Sequence, residues 1–293
     1  TFVDGGSAGA ATFEGMREFV IGRSRVRILA FLNISVIGLA CLQIGELNHF
    51  PYADPDAAAE VARRHPDLIL GIKVRSQIEV VGDAGLEPLR LAIHAARMAG
   101  GLPVMVHVTN PPMPLEAILE LLRPGDVVSH FLHGRGHGLL DRNGTVREAA
   151  REARRRGIYF DVAHGRNHVN FPVARAAVEQ EFYPDTISSD LSSGGAAGVV
   201  KDLPTTLSKF LALGMPLVDV IRAATCTPAR AIGREGELGS LEPGAVADVA
   251  VFELEEGAFD FQDADGNTLR GSLRLTPCLT IKDGQLWWKR DGA

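Results

Sequence analysis

The sequence lacks the features that mark several classes of protein. Its 293 residues include only three cysteines, Cys41, Cys226 and Cys278, which lie far apart and form no C-x-x-C pair. They predict neither a disulfide framework nor a zinc knuckle, and they favour a location in the reducing cytoplasm. No apolar stretch reaches about 18 uncharged residues, so no transmembrane helix is predicted.

The sequence also lacks an excess of basic residues. It has 30 lysines and arginines against 36 aspartates and glutamates, a formal net charge of −6, and no basic stripe. We therefore expect a small-molecule ligand and neither nucleic acid nor a membrane as partner. Its length and 46% hydrophobic content allow one large core, alone or with an appendage. The oligomeric state stays open between a monomer and a homo-oligomer.

Seven short apolar runs alternate with helix-like segments along most of the chain. The runs occupy residues 1–6, 26–35, 68–75, 102–108, 126–131, 158–165 and 185–191. Intervening segments such as DPDAAAEVARRHPD carry start and stop signals of helices. The pattern predicts an α/β fold of repeated βα units with a parallel sheet, either an open doubly wound sheet or a (β/α)₈ barrel lacking its first βα unit. The first run begins in mid-strand and favours the barrel, over residues 1–237.

The composition changes after the last of these runs. PLVDVIRAATCTPARAIG predicts a helix broken near Pro228. Residues 238–293 then predict a small all-β, sandwich-like appendage. Within it, KDGQ predicts a hairpin turn with Gly284 at the bend.

One residue able to bind a metal or carry out catalysis lies near the end of each of five successive runs. These residues are Lys73, His107, His130, His164 and Asp190. Strand ends converge on one face of a (β/α)₈ barrel, where catalysis takes place. Lys73 is the most unusual, since a lysine in an apolar run must reach water, pair with a carboxylate or lose its charge.

The motifs GIKVR, VMVHVTNPP, VVSHFLHG, FDVAHG and ISSDLS, in this order, resemble those of the amidohydrolase superfamily. The later AATCTPARAIG and GSLEPGAVADVAVF resemble its closing segment. Within the superfamily the chain looks like the dihydroorotase-like metallohydrolases, a group that includes deacetylases of N-acyl or O-acyl acids. This resemblance implies a TIM barrel that uses a metal-bound hydroxide to cleave an amide (C–N) or ester bond of a small acylated acid.

In that family two divalent metals, commonly Zn²⁺, share a carboxylated lysine. The resemblance makes Lys73 the bridging ligand, assigns His107 and His130 to the more exposed metal, and makes Asp190 a ligand of the buried metal and the catalytic proton carrier. Burial favours a neutral Lys73 amine, which can add CO₂ to form an anionic carbamate. The alternatives are a carboxylate partner for Lys73, core positions for the histidines, and a helix-capping role for Asp190.

Two further residues are candidates for substrate binding. Arg75 shares a strand face with Lys73 and could hold a substrate carboxylate, or it could form a structural salt bridge. His164 could contact substrate or Asp190, or it could be a packing residue. Residues 192–198 predict a loop. The other histidines are assigned to a loop (His133, His137) or to the surface or packing (His49, His65, His94, His168).

The sequence departs from the family pattern at one point. The family has an H-x-H pair at the end of its first barrel strand, and no H-x-H occurs in these 293 residues. The pair is expected upstream of Thr1, the other interpretation being a degenerate site. We accordingly expect this chain by itself to be weakly active or inactive.

Three alternatives to a deacetylase-like activity remain open. One is opening of a cyclic amide, as in dihydroorotase. The second is a non-catalytic barrel scaffold, which the joint presence of Lys73, His107, His130 and Asp190 disfavours. The third is an aldolase or isomerase with Lys73 as a Schiff-base nucleophile.

Overall fold

The computed structural model describes residues 1–291 and divides the chain into two compact units. Unit 1 comprises Thr1–Ser129, Arg135–Gly138 and Glu148–Ile158. Unit 2 comprises His130–Gly134, Leu139–Arg147 and the chain from Tyr159 onward. Unit 2 includes residues from both sides of position 237, so the predicted domain boundary there stays a prediction.

Unit 1 is built on parallel strands that follow one another in chain order. They are β1 (Phe2–Asp4), β2 (Ile28–Asn33), β3 (Ile69–Arg75), β4 (Val104–His107) and β5 (Val127–Ser129). Each pairs in parallel with the next. The central strands are almost wholly buried, because both faces of a parallel sheet are covered and leave no side for polar residues.

Helices connect these strands. They are α1 (Phe13–Met16), α2 (Pro55–Arg64), α3 (Ile78–Val81), α4 (Glu87–Met98), α5 (Leu115–Leu121) and α6 (Glu148–Arg155). Shorter helical turns occupy Arg17–Ile21, Phe50–Tyr52 and Gly82–Ala84. At α2, the Asp54 carboxylate accepts a hydrogen bond from the Ala57 amide, which confirms the predicted cap.

Unit 2 contains β6 (Tyr159–Asp161) and the remaining helices. These are α7 (Phe171–Glu179), α8 (Ser193–Ala196), α9 (Leu203–Ala212), α10 (Leu217–Arg222) and α11 (Cys226–Ala231). The predicted break near Pro228 lies earlier, between α10 and α11 at residues 223–225. Pro228 falls in the first turn of α11, where its missing N–H breaks no helical hydrogen bond.

The seventh run does not form the predicted regular strand. Residues 185–191 make one isolated parallel bridge, between Thr186 and Asp161. The Asp161 carboxylate accepts hydrogen bonds from the hydroxyls of Thr186 (2.6 Å) and Ser188 (2.9 Å). Asp190 has φ +45°, which ends the extended conformation. Backbone hydrogen bonds from the Val162 amide to the Thr186 carbonyl (3.0 Å) and from the His164 amide to the Ser188 carbonyl (2.9 Å) accompany these side-chain bonds, so the segment pairs with the chain after β6 without forming a regular strand.

The C-terminal segment forms one antiparallel sheet of β7 (Val249–Gln262), β8 (Thr268–Lys282) and β9 (Gln285–Lys289). Up to residue 291 it is a single three-stranded sheet, which confirms the β appendage, while the sandwich-like form stays a prediction. Asp283 and Gly284 have φ +48° and +78°, as the predicted two-residue turn requires. The sheet packs on α9, where the Leu275 amide donates to the Ser208 hydroxyl over 2.9 Å.

Strands alternate with helices as in a partial (β/α) barrel, and six of the seven predicted runs form strands. Among the described residues, we find no helix that is both long enough and apolar enough to span a bilayer.

Candidate active site

Lys73 lies in β3 with its side chain buried. Its aliphatic stem passes against Gly6, where an added Cβ would lie 2.4 Å from the Lys73 Cγ. Gly6 also has φ +103°, so both space and backbone conformation call for glycine there. The Asn33 amide donates to the Gly6 carbonyl over 3.1 Å and so fixes the turn that contacts Lys73. Neither Asn33 nor Gly6 was singled out from the sequence.

Arg75 forms the salt bridge that the sequence analysis kept as an alternative. Its Nε and Nη2 donate to the two carboxylate oxygens of Glu46, each over 2.6 Å. The Glu46 side chain is 1% exposed, so its charge depends on this two-point contact. Binding of a substrate carboxylate by Arg75 stays a prediction.

His107 is the last residue of β4 and is buried. Its carbonyl accepts the Ser76 amide over 2.9 Å, and Arg75 is its register partner on β3. The strand-end position predicted for His107 is therefore the observed one.

His130 is buried in unit 2 with φ +70°. Its Nδ1 lies 2.6 Å from the Ala163 carbonyl oxygen. A carbonyl can only accept, so Nδ1 carries the proton and Nε2 carries the lone pair with which an imidazole binds metals. Such a bond to the distal nitrogen also sets the orientation of metal-binding histidines.

His168, for which the sequence predicts a surface or packing position, is partly buried in the structure. Its ring lies beside that of His130, with centroids 4.0 Å apart and planes inclined by 41°. The H-x-x-x-H spacing from His164 to His168 was the available signal, but a spacing by itself does not show which partner a ring meets.

Asp190 is exposed, and it is not the cap of the following helix. Ser192 caps α8 instead, its hydroxyl accepting the Gly195 amide over 3.2 Å. The Asp190 carboxylate lies beside Gly165, where an added Cβ would be 2.6 Å from the Asp190 Oδ2 and 2.4 Å from the His168 Cδ2. Gly165 thus leaves space for two polar side chains in one narrow region.

His164 is fully buried, and both of its ring nitrogens have protein partners. Nδ1 lies 2.9 Å from the Gly165 carbonyl oxygen and Nε2 lies 2.8 Å from the Lys209 Nζ. Burial, and secondly the charge of Lys209, lowers the pKa of His164 to about 4. This is the packing alternative of the sequence analysis, and a direct substrate contact by His164 stays a prediction.

Three histidines each offer a nitrogen that could hold a metal ion: His107, His130 and His168. Imidazole nitrogens bind zinc, copper, iron and nickel well, and zinc also takes carboxylate oxygens as ligands. Two of the three were predicted as ligands. The cradle at Gly165, which keeps the space beside His168 and Asp190 clear, also fits a metal-binding role for these side chains.

The sequence model of the family described as "Amidohydrolase family" matches residues 82–274. The chain belongs to the amidohydrolase family. The family resemblance given by the strand-end motifs is thereby confirmed. Amidohydrolases are hydrolases that act on small molecules and generally bind divalent metals, so this much of the predicted function is established.

Individual relatives agree with this assignment. The amidohydrolase chain is 38% identical to a deacetylase of Brucella anthropi over 282 residues, which is 96% of this chain and 70% of the relative. A dihydroorotase crystal structure superposes with a TM-score of 0.89 at 34% identity, covering 98% of this chain and 75% of that one. An adenine deaminase crystal structure superposes with a TM-score of 0.92 at 29% identity, covering 98% of this chain and 78% of that one. These relatives confirm the partial (β/α) barrel with a C-terminal β appendage.

Proposed function

We propose that this amidohydrolase is a metal-dependent, deacetylase-like enzyme that cleaves the C–N or ester bond of a small acylated acid. The observation that carries the proposal is the 38% identity to a deacetylase over 96% of the chain. That identity exceeds the 34% and 29% found for the dihydroorotase and the adenine deaminase.

In the proposed site, His107, His130 and His168 would hold one divalent ion, most simply Zn²⁺. Lys73, as a carbamate, and Asp190 would hold a second ion. Bound divalent metals acidify a water molecule and polarise the acyl carbonyl of the substrate. His130 supports this assignment, because its Nδ1 bond to the Ala163 carbonyl leaves Nε2 as the ligating nitrogen.

The remaining chemistry belongs to the side chains. Asp190 accepts a proton from the attacking water and delivers it to the leaving amine or alcohol, a role suited to an exposed carboxylate. Lys73 is buried, which favours the neutral amine needed for carbamate formation. Arg75, held by Glu46, is the proposed contact for the substrate carboxylate.

Opening of a cyclic amide is the second candidate function. The dihydroorotase structure favours it, since 34% identity accompanies a superposition that covers 98% of the chain. Both reactions hydrolyse a bond at a carbonyl carbon and need the same residues, so the substrate must decide between them. A cytoplasmic location stays a prediction.

The test is a substrate screen with the full-length gene product loaded with Zn²⁺, Mn²⁺ or Co²⁺. N-acetyl amino acids, O-acetyl hydroxy acids, dihydroorotate and adenine are supplied separately, and acetate, ring-opened product or ammonia is measured. We expect acetate release, abolished in Asp190→Asn and His130→Asn and retained in the exposed control Lys201→Met. Turnover of dihydroorotate alone would establish the second candidate, and ammonia release from adenine alone would refute both. Residues 1–293 assayed in parallel test the expected weak activity of this chain by itself.

A further inference from the structure

Lys209 is a lysine buried in the middle of α9, a position that no part of the proposed mechanism uses. Its side chain is almost fully buried. Its Nζ donates to the Val199 carbonyl over 2.5 Å and lies 5.9 Å from the centroid of the Phe171 ring. Burial lowers the pKa of Lys209 to about 8. Such a costly arrangement calls for a role beyond filling space.

The other partner of Lys209 is His164, and the hydrogen bonds fix the direction of this contact. The His164 Nδ1 must donate to the Gly165 carbonyl, since that oxygen can only accept. The His164 Nε2 therefore accepts the hydrogen bond from the Lys209 Nζ, over 2.8 Å. The neutral imidazole of His164 thus connects α9 with the turn at Gly165.

Gly165 connects His164 with the side chains of the candidate site. Its amide donates to the Ser189 carbonyl over 3.0 Å, while its own carbonyl is held by His164. Its φ of +48° brings the backbone so close to His168 and Asp190 that an added Cβ would lie within 2.6 Å of each. A displacement of Gly165 would therefore change the space available to both side chains.

We propose that Lys209 is a positioning residue that acts through His164 to fix the Gly165 turn, and with it the side chains of His168 and Asp190. The inference rests on the proposed function for the roles of His168 and Asp190. It assigns Lys209 and His164 no contact with substrate or metal. Residues that orient metal-binding side chains typically contribute roughly 10- to 100-fold to metal affinity or activity.

Two substitutions test the contact between Lys209 and His164, one from each residue. Lys209→Met keeps the side chain as far as the ε position and removes the donor. His164→Asn keeps an amide N–H at the position of Nδ1 for the Gly165 carbonyl and removes the acceptor for Lys209. Lys201→Met, at an exposed lysine, is the matched control for the loss of one positive charge.

The measurements are kcat and KM for the acyl substrate, Co²⁺ affinity from titration of the metal-free protein, and urea unfolding. For each single variant we expect kcat and Co²⁺ affinity to fall about 10-fold or more, with KM within about 2-fold of wild type. The double variant should lose no more than either single variant, because both remove the same contact. Lys201→Met should match wild type in both quantities.

Three results would overturn the inference. The first is multiplicative losses in the double variant, which would mean that Lys209 and His164 act independently. The second is losses in kcat that follow the unfolded fraction, which would mean a purely structural role. The third is wild-type Co²⁺ affinity in both single variants. If wild type cleaves no acyl substrate, the proposed function fails, while the Co²⁺ titration still decides the inference.

Discussion

Substitution of Gly165 by alanine should affect activity by displacing the side chains of His168 and Asp190, beyond the loss of stability that backbone strain alone would cause. Gly165 has φ +48°, a conformation that costs a residue with a Cβ about 1–2 kcal/mol. The new Cβ would also lie 2.4 Å from the His168 Cδ2 and 2.6 Å from the Asp190 Oδ2. Ordinary carbon contacts begin near 3.4 Å, so each side chain would have to retreat by about 1 Å.

A displacement of this size has a known consequence for catalysis. Misplacing a catalytic group by about 1 Å can lower the rate by roughly 10²-fold. Gly165→Ala should therefore lower kcat/KM of the metal-loaded enzyme by about 100-fold while lowering the free energy of unfolding by about 1–2 kcal/mol.

Gly233→Ala is the matched control. Gly233 also lies in unit 2, at φ +69°, and nothing lies within 4 Å of an added Cβ there. It should lose a similar free energy of unfolding in urea and keep wild-type kcat/KM. The reasoning is refuted if both variants lose activity equally, or if Gly165→Ala retains full activity.

Three further outcomes are expected. Glu46→Gln, which leaves the charge of Arg75 without its buried partner, should lower the free energy of unfolding in urea by about 3 kcal/mol, whereas Glu152→Gln in an exposed pair should cost less than about 1 kcal/mol. Because the pKa of His164 is lowered to about 4 in the folded protein, the unfolded chain binds the proton more tightly. The free energy of unfolding should therefore fall by roughly 3 kcal/mol as the pH decreases from about 6.5 to about 4. In His164→Asn the free energy of unfolding should lack this part of its pH dependence. Dialysis against a chelator should abolish hydrolysis, and Zn²⁺ should restore it; full activity of a protein shown by elemental analysis to be metal-free would contradict the metal assignment.

The strand-end residues were predictable from the sequence because two signals coincide there. Buried parallel strands are short apolar runs, and a polar residue at the end of such a run is conspicuous. His107 therefore lies at the end of β4, and Lys73 lies in β3, as predicted. The same reasoning predicted a regular strand in the seventh run, where the backbone pairs only irregularly and turns at Asp190 with φ +45°, a local conformation that periodicity cannot reveal.

The partners of these residues were not predictable, because they come from segments with no regular pattern. Glu46 lies in the irregular chain after β2, and nothing in its surroundings indicates a bidentate contact with Arg75. Lys209 follows Ser208 in a helix whose sequence gives no reason to bury a charge. The burial of Lys209 and its bonds to Val199 and His164 in the structure show that this lysine faces inward.

Neighbouring residues of α9 bond to distant parts of unit 2, one earlier and one later in the chain, and this affects the order in which the unit is completed during synthesis. Lys209 meets His164, 45 residues earlier in the chain, while Ser208 meets the amide of Leu275, 67 residues later. A nascent chain emerges from the ribosome N-terminus first. His164 therefore lacks its partner until Lys209 has been synthesised, and α9 lacks its contact with β8 until Leu275 has been synthesised. Closure of these long loops comes late, and a ribosome-bound chain that stops before Leu275 lacks the backbone donor that fastens α9 to the sheet.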